Sequence, residues 1–207
     1  MPDEITPAGK VCTGFSKPWV AKYVNGGGGN VSYTGAMRLA RGVDVDLDVE
    51  SSDDNNFYAD NALAESAGGV FQSGTLNLTV DGLLIAAEKM ISGLPDPTKV
   101  TVGQNQVDIY DYGDDMRVPY CGVGFIARYM SGGVVTWTPY VLTKVKFAPV
   151  PTAAATQGED IDWQTQALTG AIHRDDTAKH NWKRVGEDQT SEEAAEDVIK
   201  ALLGAGA

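Results

Sequence analysis

The chain has 207 residues, 43% of them hydrophobic and 24 of them glycine, with a net charge of −12 and a pI of about 4.4. That length makes one domain, or one domain with appendages, enough for a full core, and the glycines point to many turns. The acidic excess argues against tight binding of DNA or RNA, whose affinity comes mostly from Lys and Arg on phosphates, and no apolar run reaches the roughly 20 residues of a membrane helix.

Residues 1–18 read as a flexible N-terminal arm. The start, MPDEITPAGK, is acidic and proline-bearing, unlike a signal peptide. Lys22 to Tyr33, KYVNGGGGNVSY, reads as two short strands joined by a glycine-rich hairpin turn. From Gly42 the pattern becomes strict. Val43, Val45, Leu47 and Val49 alternate with Asp44, Asp46, Asp48 and Glu50, which is the strand period, so one face wants a core and the other carries four acids. Like charges at next-nearest positions on a strand stand roughly 7 Å apart and repel, and Asp has poor strand propensity. The acidic face is therefore either solvated or in use. Residues 51–72 read as a long loop, polar but for Phe57 and Tyr58, and an aromatic pair in such a loop marks a docking segment.

Gly74 to Asp81, GTLNLTVD, alternates again with Leu76, Leu78 and Val80 inward and is expected beside the acidic strand. Leu83, Leu84, Ala87, Met90 and Ile91 then recur at helical spacing, with Asp81 as expected N-cap and Gly93 as stop. Val100 to Tyr112 reads as strands bent at 103–105, and Gly113 to Asp115 as a turn. Tyr120 to Met130 is an expected strand in which Gly122 and Gly124 mark a close backbone approach or a bulge. A turn at 131–133 leads into a long strand, Val134 to Phe147, whose Pro139 implies an edge or a bulge. Residues 149–158 are a small-residue loop, and Asp160 to His173 is one bent strand or a pair. Arg174 to Gln189 reads as a charged linker. Thr190 to Leu203 is an amphipathic helix with Thr190 and Glu193 as a capping box. The expected organisation is an arm over 1–18, a β domain over 19–185 and a helical appendage over 186–207.

The chemistry these residues offer is limited. An EF-hand read from Asp44 puts Val49 where glycine is needed and Asn55 where an acid is needed, so it fails. An irregular calcium site on Asp53 and Asp54 stays open beside the plain reading of a solvated strand face. Gly26 to Gly29 is followed by neither Lys-Ser nor Lys-Thr, so it is a turn and not a phosphate loop. His173 and His180 supply too few ligands of the usual type for zinc, and no Gly-x-Ser-x-Gly elbow occurs. Cys12 and Cys121 do not make a disulfide framework in a chain this long and read as reduced thiols of a cytoplasmic protein. Trp19, Trp137, Trp163 and Trp182 could stack on sugars, though Trp137 and Trp163 sit in strand patterns. No catalytic residue, metal or cofactor is expected.

An ordered set of segments carries a resemblance. SDDNNFYADNALAES at 52–66, GTLNLTVDGL at 74–83, YGDDMRVPYCGVGFI at 112–126, VLTKVKF at 141–147, GEDIDWQTQALTGAIHRDD at 158–176 and the opening KPWVAKYV at 17–24 resemble the major tail proteins of long-tailed, non-contractile bacteriophages, over about residues 12–185. The resemblance implies a mostly β fold, two antiparallel sheets forming a β-sandwich or barrel with a short flanking helix and a C-terminal helix. It implies a virion tail protein, assembled in the host cytoplasm into stacked hexameric rings whose lumen conducts DNA without specific binding. Its partners would be copies of itself and the tape-measure, tail-terminator and tail-tip proteins, with no membrane. On this chain the docking loop would use Asp53, Asp54, Asn55, Phe57, Tyr58 and Asp60. Asp44, Asp46, Asp48 and Glu50 are the candidate lumen face. The alternatives are a carbohydrate-binding β-sandwich of the adhesion type and, after it, a hydrolase with paired acids.

Overall fold

The computed structural model describes residues 9–53, 55–156 and 163–205, and of 55–58, 62–64, 66 and 67 the backbone only. Among the described residues twelve strands and two helices run in the order β1 (Val11–Gly27), β2 (Asn30–Arg38), β3 (Gly42–Ser51), β4 (Asn55–Ala59), β5 (Ala62–Ala67), β6 (Phe71–Val80), α1 (Ile85–Ser92), β7 (Thr98–Val102), β8 (Asn105–Ile109), β9 (Cys121–Ser131), β10 (Val134–Phe147), β11 (Gln166–His173), β12 (Lys183–Val185) and α2 (Glu192–Leu202). The fold is mostly β, antiparallel and sandwich-like with two helices, as the sequence led us to expect. Its main sheet has the order β2-β1-β9-β10-β11-β6-β3, with β12 added to β10. The sheet rolls so that β3, at one end, comes close to β1 near the other without pairing to it. β4–β5 and β7–β8 are separate two-stranded hairpins.

The rolled sheet has two cores, one on each face. The inner face closes on Val20, Leu76, Leu78, Val123, Phe125, Leu142, Val145, Leu168 and Ile172, with Ala87 and Ile91 of α1 set among them. The outer face of the β1–β9–β10 half carries a second cluster, Ala21, Ile126 and Val141, covered by Ala195 and Ile199 of α2 and by Leu203. β9 therefore has no water-facing side over Cys121 to Ala127. Gly122 and Gly124 are the close approach expected of them. A Cβ on Gly124 would lie 2.3 Å from Ile199 Cγ2, and one on Gly122 would lie 2.7 Å from Leu203 Cδ2.

Several boundaries differ from the sequence reading. Val11 to Pro18 is not an arm but the first half of β1, paired with β9 from Val11↔Met130 onward. Two bulges, between Cys12 and Gly14 and between Ser16 and Trp19, break its alternation, and Lys17 takes a φ of 51° there. The 174–189 segment is not a linker. β12 pairs with Tyr140 to Leu142, and Gln189 exchanges two backbone hydrogen bonds with Trp137. Pro139 lies between these two pairings, where its carbonyl accepts from Gly186 N–H at 2.9 Å, and the irregularity of β10 against β9 falls instead between Leu142 and Val145. Asp81 does not cap α1. Its carboxylate accepts from the Arg41 backbone N–H and pairs with the Arg41 guanidinium, while the helix begins after Leu84 with no side-chain cap. Gly93 ends α1 at φ 64°. For α2 the cap is Ser191, one residue later than expected, whose hydroxyl accepts from Ala194 N at 3.1 Å. The 51–72 loop holds the β4–β5 hairpin, turned at Asp60 and Asn61 with φ of 50° and 61°. Cys12 sits across from Tyr129 and Cys121 across from Lys22, at distant points of one ladder, and both are free thiols. Burial pushes the Cys121 thiol up to about 12.

Candidate assembly surfaces

β3 places its acids as its alternation dictates. Asp44, Asp46, Asp48 and Glu50 are all exposed, while Val45 and Leu47 pack against the inner core. Val43 and Val49 stay exposed near the ends of the strand because β3 is an edge strand, paired with β6 alone. Across from the acids stand neutral residues of β6: Thr79, Asn77, Thr75 and Ser73. Ser73 Oγ donates to Glu50 at 2.8 Å. The next strand on this face, β11, offers Ala167, Thr169 and Ala171. Lys146 and Lys144 appear only on β10, opposite Ala171 and His173. Three strand spacings of roughly 4.8 Å separate the acids from those lysines, more than a Debye length of about 8 Å at physiological salt. None of the row's carboxylates has an ion pair among the described residues; the row lies beside a field of small and hydroxylated side chains, with Arg174, bonded to the Phe71 carbonyl across from Ser51, at the Glu50 end.

The lysine side of this face is held rigidly. Lys144 Nζ and Tyr23 OH both donate to Asp176 Oδ2 at 2.8 Å, joining β1, β10 and the segment after β11. The Lys144 hydrogen bond, with that of Tyr23, holds the Asp176 carboxyl below its ordinary range. His173 stacks edge-on to Tyr120, 5.4 Å between centroids, and is pushed toward its neutral form by burial and then by Lys144 and Lys146.

The docking-loop residues fall around β4–β5. Asp53 and Asp60 are exposed, and Asn55 pairs with Ala67 at the open end of the hairpin. Asp54 and the side chains of Phe57 and Tyr58 lie outside the described residues. The described backbone of the hairpin has no extensive contact with another element of its own chain. β7–β8 is likewise exposed throughout, with Val100, Val102, Val107 and Ile109 on one of its faces.

Among the described residues no three His, Cys, Asp or Glu side chains come together to hold a metal. Trp19 and Trp137 pack under α2, and Trp182 stacks on Phe71 at 4.6 Å, which leaves Trp163 as the exposed one. No described helix is long and apolar enough to cross a membrane. What sequence reasoning missed is the anchoring of α2. Glu196 is 8% exposed and accepts from Lys17 Nζ at 2.8 Å, Trp19 Nε1 at 3.0 Å and Arg38 Nη1 at 3.1 Å. Its position on the apolar side of the helix, between Ala195 and Ile199, is the signal that was available.

The chain matches no protein-family model, and no curated protein matches it at a significant level.

Proposed function

We propose that this protein is the structural subunit of a phage tail tube, a non-catalytic assembly protein whose copies close into stacked hexameric rings around a DNA-conducting lumen. The observation that carries the reading is the edge strand β3 with an acid row that has no ion pair among the described residues, flanked by the neutral outer face of β6 and β11. An unpaired strand edge is an aggregation liability in a monomer and an asset in a closed ring, where a neighbour covers it. A face that is acidic and otherwise neutral suits a channel wall, because DNA slides past it without the Lys or Arg contacts that bring salt-dependent affinity. The two hairpins, which stand apart from the main sheet, are the natural contacts to neighbours. The resemblance of the ordered segments to major tail proteins supports the same reading, as does the mostly β architecture. In the assembled tail the further partners are the tape-measure, terminator and tip proteins.

The test replaces Asp44, Asp46 and Asp48 together by Asn, which keeps size and removes charge. The variant is expected to form tubes, more readily than wild type at low salt because self-repulsion round the ring is relieved. Those tubes are expected to retain added DNA more than wild-type tubes do. Equal DNA retention by the two, or acids found on the outside of the ring, leaves the row as a merely solvated face.

A further inference from the structure

A cleft of about 470 Å³ opens between α1, the β1–β2 ladder and the segment that leads into β9. Its walls are fixed against one another. The Arg117 backbone N–H donates to the Gly93 carbonyl at 3.1 Å, and a Cβ on Gly93 would collide with the Arg117 carbonyl, so this segment lies directly on the end of α1. On the other side Gly35, at φ 65°, lets β2 come close to Met90 Cε, which stands 3.2 Å from where a Cβ would be. Met90, Leu94 and Pro119 form the less exposed apolar part of the cleft.

Lys22, Lys89 and Arg117 line the same cleft, one from each wall, and among the described residues no carboxylate lines it. That is a local inversion of sign in a chain whose net charge is −12. The three cations are weakly neutralised. Lys22 and Arg117 have no ion pair among the described residues. Arg117 donates from Nη1 to the carbonyls of Asp114 and Met116. Lys89 pairs with Asp96 at 2.6 Å, but that carboxylate is 96% exposed, and such a pair is easily exchanged for another anion. The carbonyls at the end of α1 are already occupied: Lys89 O accepts from Gly93 and Leu94 N–H, and Gly93 O from Arg117 N–H.

We propose that the α1 cleft binds a small organic polyphosphate of the nucleoside triphosphate class. Lys22, Lys89 and Arg117 take the phosphate oxygens, and the base lies on Met90, Leu94 and Pro119. Charge, polarity and size select this class. A single carboxylate or phosphate leaves like charges facing each other, whereas a chain of phosphates answers all three cations. The apolar part favours a ligand with a flat body over a bare polyphosphate. A cleft of about 470 Å³ has the volume of a site for a compact organic ligand. Bound there, the ligand ties α1 to β1 and to the segment before β9, and it stabilises the fold by mass action. The site is built by one subunit alone and does not rest on the tube reading.

Calorimetric titration of the full-length chain tests it, with ATP, pyrophosphate and AMP as probes and no magnesium. ATP is expected to saturate one site per chain with a Kd below about 1 mM. Pyrophosphate, which lacks the body, and AMP, which lacks the phosphate chain, are each expected to bind roughly tenfold more weakly. Lys22→Gln with Arg117→Gln is expected to weaken ATP by about tenfold or more. Met90→Gln is expected to weaken ATP and leave pyrophosphate unchanged. Lys179→Gln, at a separate hollow lined by Lys179 and Arg184, is expected to change nothing. Thermal melts check that each variant folds; if the double variant does not, Lys89→Gln at the exposed Asp96 pair makes the same comparison. No saturation by about 10 mM ATP, unchanged affinity in a folded cleft variant, or an equal loss with Lys179→Gln overturns the proposal. So does a single-stranded oligonucleotide that binds as tightly as ATP and is lost in the same cleft variant, which would make nucleic acid the occupant.

Discussion

Glu196 faces β1 and β2 from the inner side of α2, and its three donors come from Lys17, Trp19 and Arg38. Burial raises the carboxyl's pKa, but the hydrogen bonds from Lys17 and Trp19 and the charges of Lys17 and Arg38 outweigh it and hold the group below its ordinary value of 4.5. A folded-state value below the unfolded one contributes stability that is present above about pH 4.5 and is lost as the pH falls through the folded value. Glu196→Gln is therefore expected to cost about 2 kcal/mol at pH 7, with the gap to wild type closing toward pH 3. Denaturant titrations at the two pH values measure this, and a gap independent of pH would assign the cost to packing alone. At this scale the sequence was half legible. Gly122 and Gly124 announced that something lies close to β9, because a strand interior rarely keeps two glycines without a reason. It could not say that Ile199 and Leu203 are what lies there, since those residues are 75 or more positions away in the chain. Asp81 misled, because an Asp before a helical run reads as a cap until Arg41, forty residues earlier, is seen to claim it.

α2 is the element on which sequence and structure part most. Its pattern reads as a narrow, alanine-rich stripe after a charged linker, hence an appendage. In the fold the small residues are what allow the helix to lie directly on glycine-bearing β9, and the supposed linker is stitched to β10 by β12 and Gln189. Burying Ile199 and Leu203 contributes about 1.5–3 kcal/mol each, and Ala195 adds a smaller amount. Against a total of about 5–15 kcal/mol for a domain, that is a large share. Deleting residues 188–207 is thus expected to lower the melting temperature by about 10–20 °C, on a scale of about 2–4 °C per kcal/mol for a chain of this size. Calorimetry of the truncated chain decides it, and a melting temperature within a few degrees of wild type would return the helix to the status of an appendage. The elements with clean periods were readable from the start. β3 and β6 fall where alternation puts them, and the β3–β6 pairing follows from two matched amphipathic faces. The first half of β1 was not readable, because two bulges move its side chains off the period of two. The β4–β5 turn was hidden because Asp60-Asn61 lacks the glycine that usually marks such a turn.

At the scale of the molecule, the rolled sheet divides its outer surface in two. The β1–β9–β10 half is covered by α2, whereas the β10–β11–β6–β3 half is bare, polar and graded from lysines to an acid row. Four acids in a row on an open edge repel one another, and among the described residues the hairpins at 55–67 and 98–109 have no extensive contact with another element of their chain. Those features make sense together in a closed assembly of many copies, and the fold alone, which many functions share, would not have pointed there. Electron microscopy of the purified chain at high concentration, with and without tail-initiation seeds, tests the claim most directly. The tube reading predicts rings or stacked tubes about ten nanometres across, the size of several domains of this length set round a channel. A chain that stays monomeric under both conditions, or one that assembles with the Asp44, Asp46 and Asp48 side chains on the outer surface and no channel, would contradict it.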